Sequence, residues 1–413
     1  MPNENLNPER RKLARLLERN PIVTQQLSSQ VAINEVLLKW YENLWNWDEL
    51  SQNSSLNWCE QLIADHEDRW NWTKLSKNRA LPWSAHLIER YKHRWDWEAI
   101  SENRALPWSE KMIEYYEDQW DWGWLSQNEA LPWCEKLIER YENQWVWKCL
   151  SGNQALPWSE HFIERYTDRW YWEKLSYNQG VPWTENFIER YEDRIVFSRL
   201  AENKSVPWDV GLIERYKDRW DWESLSFNHA IPWSEDLIDL FKDRWDWGPL
   251  SFNHAIPWSV SLIDRYKDRW NWVQLSINES LPWTIDLIER YEDQWDWGHD
   301  LFGLSDNTAL PWSLELIERY KDRWDWDILY GLSDNTGLPW SAELIERYKE
   351  EWDWEALSWN KSIPWNKELI SRFWDCSCGP DGRTPPTGFV FFKARSALEW
   401  LSVWSRVIEQ VPD

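Results

Sequence analysis

A pair of tryptophans one residue apart recurs every 25 residues, and that spacing constrains the fold more than any bulk property. Trp45, Trp70, Trp95, Trp120, Trp145, Trp170, Ile195, Trp220, Trp245, Trp270 and Trp295 follow one another at 25; intervals of 29 and 28 then lead to Trp324 and Trp352. The unit reads W-D-W-x-x-L-S-x-N-x-A-L-P-W-S-x-x-L-I-E-R-Y-x-D-R and occurs thirteen times. A unit this small cannot bury a core by itself, so its copies must stack. The 413 residues are therefore expected to form one solenoid rather than about two to four globular domains. The expected divisions are an N-terminal helical cap over residues 1–35, the repeats over 36–374 and a non-repeat segment over 375–413.

Two rows of short polar residues divide the unit into two helices. The residue between the paired tryptophans is Asp or Asn in ten of thirteen units, and the residue after Pro-Trp is Ser, Thr, Asp or Asn in eleven, with Cys59 and Cys134 the exceptions. Such residues accept a bond from the free N–H groups that open a helix. Helix A is predicted over about eight residues, as Asp96 to Asn103, and helix B over about twelve, as Ser109 to Trp120. In helix B, Met112, Ile113, Tyr116 and Trp120 share one face, with Glu114, Glu117 and Asp118 opposite. The fold class read from this pattern is all-α, an α-solenoid of helix pairs. A leucine-rich-repeat solenoid is the alternative, because its unit length overlaps 25 and its loops also carry Asn. Its L-x-L strand, however, is missing here.

The fixed residues read as architecture. Asparagine occupies the L-S-x-N slot of all thirteen units, from Asn53 to Asn360, where it suits a left-handed helix end or an amide row that satisfies loop carbonyls between units. Of the 43 tryptophans, 37 fall in the three Trp slots. One unit replaces the pair by Ile195-Val-Phe197 and the Ser by Ala201 without disturbing the spacing. A packed core tolerates that change and an aromatic binding site does not, so the tryptophans are assigned to the core. The I-E-R-Y-x-D-R run places Glu214, Arg215, Lys217, Asp218 and Arg219 on an outer face, where stacking predicts cross-repeat ion pairs.

Bulk properties exclude several functions. A net charge of −25 repels nucleic-acid backbones and anionic membrane surfaces. No apolar run is long enough to span a bilayer, and Met1 to Arg19 is polar where a signal peptide is apolar. Five scattered cysteines do not suggest a disulfide framework, so a cytoplasmic location is expected. Cys376 and Cys378 have no second Cys/His pair nearby, and no metal or other cofactor is expected. P-loop, nucleophile-elbow, zinc-protease and dinucleotide glycine motifs are all missing, which argues against an enzyme.

Function is then expected where the units differ. One variable slot is the x of L-S-x-N, which holds Tyr177, Phe227, Phe252, Ile277 and Trp359 among mostly polar residues. Another follows the Asn and holds His229 and His254; a third follows the second tryptophan and includes Trp124, Lys148, Arg199 and His299. The near-duplicate units around 227 and 252 should set Phe227 and His229 beside Phe252 and His254. Insertions after Trp297 and Trp326 add Leu301, Phe302, Leu329 and Tyr330, as a loop on one face or as a bend. The candidate partner-binding residues are Tyr177, Phe227, His229, Phe252, His254, Phe302, Tyr330 and Trp359.

Motifs such as Trp220-Asp-Trp222, Leu225-Ser-Phe-Asn228 and Ile231-Pro-Trp233 resemble the tandem W-x-W/L-S-x-N repeats of uncharacterised bacterial and large-DNA-virus proteins. The resemblance covers residues of about 36–374; it implies a repeat protein and carries over no activity. The expected function is a non-enzymatic scaffold binding another protein along the variable slots. The alternative is a binder of glycans or other ligands that stack on aromatic rings. The oligomeric state is left open.

Overall fold

The computed structural model describes residues 35–298, 302–326 and 331–365, together with residues 25, 28, 29, 33 and 369. They belong to two compact units that divide between Pro182 and Trp183. All regular secondary structure among the described residues is helical, in short tandem pairs, and each unit is an α-solenoid. The leucine-rich-repeat alternative is overturned. Where its strand would lie, the chain makes a tight turn about the proline, Trp83 N–H donating to Leu81 O at 2.8 Å. The turn survives without proline, because Trp58 N–H donates to Leu56 O across Asn57 at 2.9 Å.

Both helices are shorter than the periodicity predicts. Helix A of one repeat is Trp97–Glu102 and helix B is Glu110–Tyr115, six residues each. The caps begin them as expected: Asp96 accepts from Ala99 N–H at 3.1 Å and Ser109 accepts from Met112 N–H at 3.3 Å. Cys59 Sγ also accepts, from Leu62 N–H, whereas Cys134 makes no side-chain cap bond. Helix B ends early because a tryptophan replaces its next turn. The Ile113 carbonyl, which a longer helix would bond to the N–H four residues on, accepts Trp120 Nε1–H at 3.1 Å. The chain then turns away through Tyr116, at φ −112° and ψ 27°.

The other two tryptophans of the unit also cap carbonyls. Trp97 Nε1–H donates to Lys92 O at 3.0 Å and Trp108 Nε1–H to Asn103 O at 3.1 Å. Trp145, Trp245 and Trp270 occupy the first slot without a partner for Nε1. Rings interlock between repeats: Trp72 lies 4.8 Å from Tyr91 and 4.9 Å from Trp95, centroid to centroid. The first-slot tryptophans are therefore core, as read from the sequence, the other two slots are mostly half-buried, and all three supply main-chain donors.

Within each unit, Asn and Ser tie repeats to the ones before them. Asn103 is buried, donating through Nδ2 to Ser76 O at 2.9 Å while its Oδ1 accepts from Ala105 N–H at 2.9 Å. It is the expected amide row. The left-handed conformation is not used: the helix-ending asparagines are extended, Asn103 at φ −72° and ψ 112°. Ser76 Oγ donates to Trp72 O at 2.7 Å and accepts from Asp96 N–H of the next repeat at 3.0 Å. Within the units, neighbouring A helices such as Trp97–Glu102 and Trp122–Gln127, or Trp222–Phe227 and Trp247–Phe252, approach within 8 Å, Cα to Cα.

The insertions leave this frame and rejoin it. Asp296 O accepts from Leu304 N–H at 2.8 Å, eight residues on, and Ser305 Oγ donates to Trp297 O at 2.6 Å. Gly298 turns the chain at φ 107°, and Gly303 packs so tightly that a Cβ there would sit 2.5 Å from Gly298 N.

Candidate functional site

The fixed side chains are consumed by the stack, which leaves the exposed positions of the A helices and of the turn after Asn. The variable slots fall there. In the first, Gln52, Lys77, Glu102, Gln127, Tyr177 and Phe227 are exposed and Phe252, Ile277 and Asp306 half-buried; in the second, Arg79, Arg104, Gln179, His229, His254 and Glu279 are exposed. Trp124 and Lys148 of the third lie on the same row, Trp124 donating to Glu98 Oε1 in the preceding repeat at 3.2 Å. His299 lies outside the described residues.

Around His254 the expected patch forms in part. His254 lies 6.1 Å from His229 and 4.9 Å from Phe252, ring centroid to centroid, and its Nδ1 is 3.0 Å from Ser280 Oγ. Phe227 is 48% exposed and joins no ring contact among the described residues. Burial first, then the nearby His254 and Lys204, hold the His229 imidazole below its ordinary value. Further along the slot, burial, then Asp334, then Glu279 push the Asp306 carboxyl up. The row thus passes from aromatic and imidazole groups to carboxylates within unit 2.

The remaining candidates are more scattered. Tyr177 belongs to unit 1 and is exposed. Phe302 is exposed in the first insertion, whereas Leu301, Leu329 and Tyr330 lie outside the described residues, so no matched pair of bumps is described. Trp359 ends the helix Trp354–Trp359, and its side chain lies outside the described residues. The sequence reading missed Val146, Tyr171 and Val273, all exposed on the A row. Val146 and Tyr171 carried a visible signal, because each interrupts the Asp/Asn row of N-caps.

The B row presents a different surface. Arg140 pairs with Glu114 at 2.5 Å, Arg165 with Glu139 at 2.6 Å and Arg290 with Asp264 at 2.9 Å, each across one repeat and exposed. Arg94 reaches back to Glu67 O at 2.8 Å, its guanidinium 5.5 Å from the Trp72 ring. The ladder recurs along the row but is interrupted where Tyr115 and Leu240 take the arginine position, both exposed. Among the described residues no group of His, Cys, Asp and Glu could hold a metal ion, and no helix is long and apolar enough to cross a membrane. Cys376 and Cys378 lie outside those residues.

Fold and surface together define tandem-repeat α-solenoid units whose A rows carry the variable slots and whose B rows carry ladders of ion pairs. No family model, curated protein or solved structure matches the chain.

Proposed function

We propose that the protein is a non-enzymatic scaffold whose A-helix row binds another protein. One observation carries the reading: the variable slots of the A helices and of the turn after Asn line an exposed row where side chains of successive repeats, such as His229, Phe252 and His254, come together, and the invariant side chains are spent holding the stack together. Because A helices pack closely, side chains from successive repeats combine into patches, as His229, Phe252 and His254 do. Phe252 and the exposed Phe227 supply the rigid apolar area that anchors protein interfaces. The glycan reading has less support, since the repeat tryptophans are buried or half-buried and most give their N–H to main-chain carbonyls.

Site-specific cross-linking tests the proposal. A photoreactive amino acid is placed at Phe227 or Phe252 on the A row, or at Glu189 or Glu214 on the B row, in cells of the source. Cross-linked partner protein is expected from the A positions alone. Labelling that is equal on both rows, or confined to the B row, rejects it.

A further inference from the structure

The A row of unit 1 departs from the repeat's rule twice in succession. Asp96 and Asp121 cap their helices by accepting from Ala99 N–H at 3.1 Å and Trp124 N–H at 2.9 Å. The next two repeats place Val146 and Tyr171 in the cap position, and neither helix has a side-chain cap bond. A helix without its cap leaves opening N–H groups unsatisfied and is less stable for it. The replacements gain no compensating burial, for Val146 is 41% exposed and Tyr171 39%. Tyr177, at the end of the second of these helices, is 47% exposed. Two adjoining repeats have lost local stability and present apolar surface to water, a combination the stack does not require.

These two A helices also carry lysines, in a chain whose net charge is −25. Lys148 reaches forward to the next repeat, its Nζ 5.1 Å from the Tyr171 ring centroid. Lys174 reaches back over Gly152, where a Cβ would lie 3.5 Å from its Cδ. Among the described residues neither lysine pairs with a carboxylate. Glu173 accepts the Tyr171 hydroxyl at 2.8 Å, and Asp121, one repeat earlier, is occupied as a cap. Two uncompensated cations therefore stand beside two tyrosines and a valine.

We infer that the surface formed by Val146, Lys148, Tyr171, Lys174 and Tyr177 docks an acidic protein segment that carries aromatic or aliphatic side chains. Its lysines supply the attraction and its apolar groups the contact area. The partner's acids and apolar groups must meet the lysines and the exposed rings together, which an acidic chain offers at few places. This inference rests on the A row being a binding face and goes further by naming the partner's chemistry.

The test is fluorescence anisotropy with the full-length protein and short labelled peptides. One peptide mixes Asp and Glu with Phe and Leu, a second replaces its acids by Lys and Arg, and a third replaces its apolar residues by Ser. The first is expected to bind, the third at least about tenfold more weakly, and the second not through these residues. Lys148→Glu with Lys174→Glu should weaken the first peptide by about tenfold or more. Val146→Asp with Tyr171→Asp should do the same while restoring both caps, so its thermal midpoint should hold or rise and misfolding cannot explain the loss. The inference is overturned if the first peptide does not bind, if it binds the Asp variant as well as wild type, or if the basic peptide uses the same residues. Cross-links at Phe227 and Phe252 with no peptide binding would sink this inference alone, and their loss as well would sink the A-row reading.

Discussion

Two neighbouring repeats of unit 2 bury the same slots with different chemistry. Trp220 and Ile195 are buried almost equally, and Phe197 keeps the packing of the second tryptophan, 4.9 Å from Trp220 as Trp222 is 4.8 Å from Trp245. Arg219 closes over Phe197 at 4.2 Å. What the irregular repeat lacks is polar. Trp220 donates to Ile213 O at 3.2 Å and Trp222 to Lys217 O at 2.9 Å, whereas Ile195 and Phe197 have no N–H to donate. Ser226 Oγ donates to Trp222 O at 2.7 Å and accepts from Asp246 N–H at 3.1 Å, whereas Ala201 has no hydroxyl for Asp221. The asparagine is retained in both. Apolar packing therefore fixes the shape of the unit, the indole and hydroxyl bonds are additions it can lose, and the asparagine, whose Oδ1 still accepts from Ser205 N–H in the irregular repeat, is what every repeat keeps.

The comparison can be broken most severely at the amide. Asn228 donates to Ala201 O at 2.7 Å and accepts from Ala230 N–H at 2.8 Å, fully inside the stack. Asn228→Asp puts a carboxylate against that carbonyl and should destabilise unit 2 by about 3 kcal/mol or more, read as a fall in the urea midpoint. A change within about 0.5 kcal/mol would remove the ladder from this account.

Next in size is the indole bond. Trp220→Phe loses a bonded N–H, while Trp270→Phe loses one that has no partner. Both lose ring volume, so the first should cost about 1 kcal/mol more than the second, and equal costs would reduce the indoles to plain packing. Repair of the irregular repeat should be smaller and opposite in sign. Ala201→Ser offers Asp221 the missing hydroxyl and should stabilise by about 0.5–1 kcal/mol.

The smallest expected effect is pH-dependent. The folded state holds His229 below its ordinary 6.5, so the unfolded chain takes up a proton first. Stability of unit 2 should therefore be intact above that value and fall as pH drops below it, until the folded imidazole also charges. His229→Gln should flatten this slope in urea titrations. Tyr266, Tyr291 and Tyr348 give the opposite sign at alkaline pH. Burial, and then Asp239, Asp264 and Glu318 respectively, push them up to about 12, so stability should decline above pH 10 as the unfolded tyrosines ionise. The tyrosinate absorbance lost on changing these three to Phe should appear together with unfolding rather than before it.

The sequence by itself determined the repeat length, the two N-cap rows, the all-α class and the core assignment of the tryptophans. These depend on contacts within a few residues, as when Ser109 caps Met112, or on apolar periodicity, and both are legible in one chain. It also pointed to the variable slots, though it passed over Val146 and Tyr171, because a missing cap looks like noise until the side chain is seen exposed. Only the tertiary structure decided where helix B stops, since Trp120 must fold back seven residues to reach the Ile113 carbonyl. It alone showed that Asn103 joins the Ser76 carbonyl 27 positions earlier, and that the variable slots share one row. Such bonds connect residues whose distance is set by the stacking of repeats, and no local propensity encodes that distance.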